Sequence, residues 1–295
     1  MSFCSAVTLC FASVFALVAA GLLALTFSTD NWQVIKVDRD AIWEYNEEHP
    51  LEYISNKFNS SPLFYTRSRG LFRECFYKKE EAPVIELYSS PVETWCHNIN
   101  YYFPDEKGET KDFTWDNMTR IHMGRAMISL FIVSFFFIGV SSTTGIVGCW
   151  RASPSNITAS AVMMLVACLF AAGGMGLWHS VEHYEKMKIT DRSDTDLFVK
   201  TWPQILIDNT EFKYDWSYIL CWIGIGLALV SSILFSLAAV CLKNDKERED
   251  AMNMQYLMPV YPQKQQPYGP YGYAAYPGPA AQYYGSQYGL AYNQY

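Results

Sequence analysis

"AMISLFIVSFFFIGVSSTTGIVGCW" (residues 126–150) runs for 25 residues without one charged side chain. As a helix rising 1.5 Å per residue, it is long enough to cross the ~30 Å hydrocarbon layer of a bilayer. Three more blocks share this character: 4–27, 159–178 and 218–242. Charged residues make up only 17% of the chain, against about 25% in soluble domains, and no soluble core needs four such runs in 295 residues. The sequence therefore predicts a mainly α membrane protein with four transmembrane helices. Residues 1–3 carry no Lys or Arg, and the first apolar run continues past the small residues Val18-Ala19-Ala20 to Phe27. Both features favour a retained helix over a cleaved signal peptide.

Four spans define a membrane domain, 1–242, with long loops at 28–125 and 179–217, a short loop at 151–158 and a tail at 243–295. An even number of spans puts both termini on one side and both long loops on the other. Lys243, Lys246 and Arg248 follow the fourth span and Arg151 sits in the short loop, which by the positive-inside rule marks the cytoplasmic side. Arg120 and Arg125, before the second span, pull weakly the other way. The long loops carry 25 acidic and 17 basic residues, a net of −8 that the short loop and tail offset by +1 to give the chain's −7. The expected arrangement is a multi-pass plasma-membrane protein with cytoplasmic termini and extracellular long loops.

Cysteine placement agrees. Cys4, Cys10, Cys149, Cys168, Cys221 and Cys241 lie within or at the ends of the apolar blocks, whereas Cys75 and Cys96 share the first long loop. Two thiols alone in an oxidising compartment are expected to pair. Closing a loop of this length contributes about 3 kcal/mol through lost unfolded-state entropy. The loop also carries strand signals. "NWQVIKV" (31–37) alternates with period two, "PLFYTRSRGLFRECFYKK" (62–79) gives two β-prone runs around a turn at Ser68-Arg69-Gly70, and "VETWCHNI" (92–99) offers a partner strand.

Trp32, then Gly70-Leu71-Phe72, then Cys75 and Cys96, resembles the W…GLW…C…C pattern of the claudin superfamily, with Phe72 where Trp is usual. "GRAMISLF" (124–131), with Arg125, resembles that family's entry to its second helix. "CHNINYYFPDE" (96–106) and "FKYDWSYIL" (212–220), the latter carrying Tyr214, Trp216 and Ser217, resemble the stargazin-like, calcium-channel-gamma-like branch. The resemblance implies a left-handed four-helix bundle capped by a disulfide-stapled extracellular β-sheet, with Trp32, Leu71 and Phe72 seating the sheet near the membrane. It also implies function by binding in the membrane: association with an ion channel or receptor, adhesion with junction proteins, or assembly with a second copy. Two departures stand out. "DRDAIWEYNEEHPLEYISNKFNSS" (38–61) is extra and acidic, and the ending "YNQY" lacks the small-x-Val type of sequence that binds PDZ domains.

Small residues recur every four positions at Ala12, Ala16 and Ala20, at Ser141, Gly145 and Cys149, and at Gly224, Ala228 and Ser232. Such faces suit close helix packing, within the bundle or against a partner's helix. The blocks' central portions hold no charge, which speaks against an ion path through one chain. "HSVEH" (179–183) matches the inverted zinc-protease pattern, but no third ligand at useful spacing follows. With no Gly-x-Ser-x-Gly, phosphate-binding loop or Cys-x-x-Cys, the reading is no catalysis, no cofactor and no metal. The acidic balance argues against nucleic acid. Residues 256–295 hold 11 tyrosines and six prolines in a low-complexity run expected to be disordered. Asn59 and Asn117 are candidate glycosylation sites in the long loop, whereas the sequon at Asn156 falls on the cytoplasmic side. Cys149 and Cys241 are candidate palmitoylation sites.

Overall fold

The computed structural model describes residues 3–77, 87–89, 94–102, 114–189 and 198–257. The low-complexity tail at 258–295 and the Phe-Pro-Asp-Glu portion of the 96–106 stretch lie outside the described residues. Four helices are long and apolar enough to cross a membrane: α1 (Phe3–Ser28), α4 (Trp115–Arg151), α5 (Pro154–His183) and α7 (Trp216–Leu257). Each extends beyond its charge-free block. The expected short loop at 151–158 shrinks to a hinge in which Ala152, at φ 46, ends α4 with its N–H on the Gly148 and Cys149 carbonyls, and Pro154 opens α5. The tail also begins later than expected. Residues 243–257 continue α7, because a run rich in Lys, Glu, Arg, Ala and Met favours the helix.

Most residues of the small-residue faces point inward. Ala12, Ala16, Ser141, Ala228 and Ser232 are buried, and a Cβ on Gly145 would lie 3.0 Å from Ser160 Oγ. With backbones this close, hydroxyls bridge helices. Ser134 donates to the Ala167 carbonyl at 2.8 Å, Ser231 to Ala12 at 2.9 Å and Ser232 to Ala161 at 2.9 Å. These contacts pack the faces against one another within the bundle.

At one end of the bundle stands an antiparallel sheet of six strands in the order β4-β5-β3-β2-β1-β6. Its members are β1 (Gln33–Val37), β2 (Arg67–Arg69), β3 (Arg73–Phe76), β4 (Tyr88–Ser89), β5 (Trp95–Asn98) and β6 (Thr210–Tyr214). The turn between β2 and β3 is Gly70-Leu71-Phe72, two residues later than the sequence suggested; Ser68 and Arg69 pair with Cys75 and Glu74. Strand β6 was not legible as a strand. Part of it reads as the entry to the last helix, yet it pairs with β1 along its whole length, Gln33↔Tyr214 to Val37↔Thr210. Both long loops thus build one sheet.

The extra segment 38–61 folds into α2 (Arg39–Glu48) and α3 (Glu52–Lys57). Asp38 caps α2 by accepting from the Ala41 N–H, which satisfies one of the orphan donors at a helix start. Ile42, Ile54 and Phe58 pack with Phe64, Phe76, Trp202 and Leu206 into a second core, the last of these from α6 (Gln204–Asp208). Trp32 and Leu71 belong instead to the bundle core. Strand β1 departs from strict alternation: Gln33, Val34 and Ile35 are all buried, with β2 on one side of the strand and β6 on the other.

Candidate functional site: the sheet seat and its helical cap

Trp32 is fully buried. Its indole N–H donates to the Thr26 carbonyl at 2.7 Å, and its rings meet Trp178 at 5.1 Å and Phe131 at 6.0 Å, edge to face with the latter. One residue of α1, one of α4 and one of α5 therefore converge on it. Gly70 passes so close to the end of α1 that a Cβ would lie 2.6 Å from Asp30 Cα and 2.9 Å from the Thr29 oxygen. Leu71 is buried beneath, and its carbonyl accepts from Tyr101 Oη at 2.7 Å. Phe72 meets Phe27 edge-on at 5.0 Å, so an aromatic smaller than Trp still fills this position. Cys75 and Cys96 stand opposite one another in β3 and β5 and are disulfide-bonded. A carboxylate oxygen of Asp30 lies within 4.8 Å of both sulfurs, but bonded sulfurs offer no thiolate to a metal.

The helix entries are tied to the same seat. Arg125 Nε donates to the Tyr101 carbonyl at 2.8 Å. Ser217 and Thr29 share a hydrogen bond of 2.9 Å, and the Ser217 N–H donates to Asn31. Trp216 opens α7 with its N–H on the Asp215 carboxylate. Tyr214, at the end of β6, donates its hydroxyl to Glu182 at 2.6 Å. Burial and that carboxylate together raise the Tyr214 pKa.

Glu182 is the one acid of the protease-like "HSVEH". Its carboxylate also accepts from Gln33 at 2.8 Å and Lys186 at 2.7 Å, and His179 Nε2 lies 3.1 Å from Tyr218 Oη. These side chains clamp β1 and β6 to the end of α5.

A second clamp left no trace in the sequence. Glu185, in a π-helical turn (Tyr184–Lys188), accepts from Arg69 at 2.7 Å and Arg120 at 2.9 Å. The sheet, α4 and α5 meet there. Beside it, buried Arg67 pairs with Glu74. Burial alone would raise the Glu74 pKa, but Arg67, Arg69 and His97 outweigh it and hold the carboxyl below its ordinary value.

Above the sheet, the cap presents Asp38, Asp40, Glu44, Glu47, Glu48 and Glu52 on exposed positions. Trp43 and Tyr45 are also exposed, at 41% and 40%. Arg39 holds the cap down, its guanidinium 4.2 Å from the Phe58 ring and 3.9 Å from that of Tyr65. Asn59 lies exposed in the turn after α3, its side-chain oxygen accepting from Arg39 at 3.1 Å. Asn117 differs: it sits in the first turn of α4, only 6% exposed, and accepts from Arg120 at 3.2 Å. Cys149 and Cys241 are partly buried near the far ends of α4 and of the apolar run of α7.

The family model described as PMP-22/EMP/MP20/Claudin tight junction matches residues 17–237. None of the curated proteins searched matches the chain.

Proposed function

Since this chain belongs to the PMP-22/EMP/MP20/claudin family of membrane proteins, we propose that it acts by binding another membrane protein side by side in the plasma membrane, as an auxiliary or trafficking subunit of an ion channel or receptor. Both termini are cytoplasmic in this reading, and the sheet with its cap is extracellular. The observation that carries it is the folded cap. Helices α2 and α3 rest on a core of their own and present an acidic surface set with Trp43 and Tyr45. Such a surface suits a basic, aromatic-accepting partner. Two copies meeting head-on would oppose like charges, although salt screens that repulsion beyond ~8 Å. The stargazin-like stretches around Cys96 and Trp216 support the same role.

A second reading, adhesion or barrier formation at cell junctions, is favoured by the tight-junction wording of the family description. Cross-linking in intact cells followed by identification of what is held separates the two. Under the lateral reading, channel or receptor subunits are held by the native chain, and replacing Glu44, Glu47 and Glu48 by lysine reduces their yield severalfold. Junction proteins held equally by both forms would favour the second reading.

A further inference from the structure

At the end of the bundle opposite the sheet, a cleft of about 380 Å³ lies between α5 and α7. Pro154, Ser155 and Thr158 line one side, and Ser236, Val240 and Lys243 the other. The cleft straddles a boundary written in the sequence. The charge-free run of α5 begins at 159 and that of α7 ends at 242, so Lys243 stands at the mouth. Val240 and Ser236 lie about one and two turns deeper. The two deeper hydroxyls are turned onto their own helices: Ser236 donates to the Ser232 carbonyl at 3.0 Å and Thr158 to Pro154 at 2.9 Å. What they leave facing the cleft is hydrocarbon. Thr158, Ser236 and Val240 are exposed, so the cleft opens on the lipid-facing side of the bundle. An apolar recess at that depth suits an acyl chain better than water.

The mouth supplies the charge. Lys243 pairs with Glu247 at 3.8 Å, and the two side chains are 69% and 65% exposed. A pair that open to solvent contributes little and leaves the ammonium able to meet a headgroup. Basic residues at the polar edge of transmembrane helices recruit anionic headgroups in this way.

We propose that this cleft binds one anionic phospholipid, with an acyl chain along Ser236 and Val240 and the headgroup on Lys243. Its volume lies in the ~300–1,000 Å³ range of small-ligand sites. The assignment rests on the membrane helices and not on the lateral-binding reading, so either stands or falls without the other. Native mass spectrometry of the full-length chain, released from nanodiscs of equal phosphatidylserine and phosphatidylcholine, tests it. The native protein is expected to retain one phosphatidylserine in preference to phosphatidylcholine. Lys243→Gln should lower that preference about fivefold, and Val240→Trp, filling the cleft from an exposed position, should lower retention of both lipids. Lys246→Gln, outside the cleft, should change neither. Equal retention of the two lipids by the native protein would overturn the assignment. So would an undiminished lipid in Val240→Trp, or a loss in Lys246→Gln matching that in Lys243→Gln.

Discussion

Gly70 has no room for a side chain, because backbone of the α1 exit lies where its Cβ would stand. The obstacle is backbone on both sides of the contact, so relief requires moving the β2–β3 turn away from Asp30. Gly70→Ala should therefore cost at least the ~1–3 kcal/mol typical of overpacking, read as a lowered unfolding temperature in detergent and reduced surface delivery. Glu74 makes a different kind of prediction. Arg67, Arg69 and His97 surround its carboxyl and hold it below the ordinary carboxylate value in the folded chain. A depressed carboxylate contributes stability that is present above its unfolded pKa and lost as pH falls through its folded one. Relative to the native chain, Glu74→Gln should be less stable by ~2–3 kcal/mol near neutral pH, since Arg67 is left buried without its counter-charge. The two should converge as pH falls from the ordinary carboxylate range through the depressed value of the folded chain. A constant difference down to acid pH would show that Glu74 acts through shape alone.

At the scale of elements, β5 lies against β3 through only four residue pairs, one of them the disulfide-bonded Cys75 and Cys96, and the two-residue β4 follows on the far side of β5. Replacing Cys75 and Cys96 together by alanine should remove about 3 kcal/mol and trap the chain in the secretory pathway, measured by surface biotinylation. The four spans were legible because a bilayer demands about 20 apolar residues per helix, and no other fold demands that four times over. Strand β1 and the Cys75–Cys96 pairing were legible from alternation and from the isolation of those two cysteines. Strand β6 was not, since "TEFKY" is short and its partner lies some 180 residues earlier. Helices α2 and α3 were hidden by their acidity: only Ile42, Asn46, Ile54 and Phe58 of that segment are buried, too sparse a stripe to show a period. The Arg69–Glu185–Arg120 clamp joins three segments distant in sequence, and ion pairs of that kind leave no local pattern.

For the molecule as a whole, the two cores divide the labour. The bundle core fixes the spans and seats Trp32, while the second core holds up a charged cap that exposes Trp43 and Tyr45. Orientation is checked by glycosylation. With the sheet outside, Asn59 should carry glycan. Asn117 should not, because the folded chain buries it, and Asn156 should not, because it lies on the other side; a glycan on Asn156, shown by peptide mapping after glycosidase treatment, would invert the topology. The central claim is that this family member binds laterally and not across cell contacts. The most direct measurement is the distribution of the fluorescently tagged chain in otherwise non-adherent cells, mixed with cells that lack it. Lateral binding predicts an even surface signal, the same at contacts between two expressing cells as at contacts with a non-expressing neighbour. Enrichment or strand formation confined to contacts between expressing cells would contradict it.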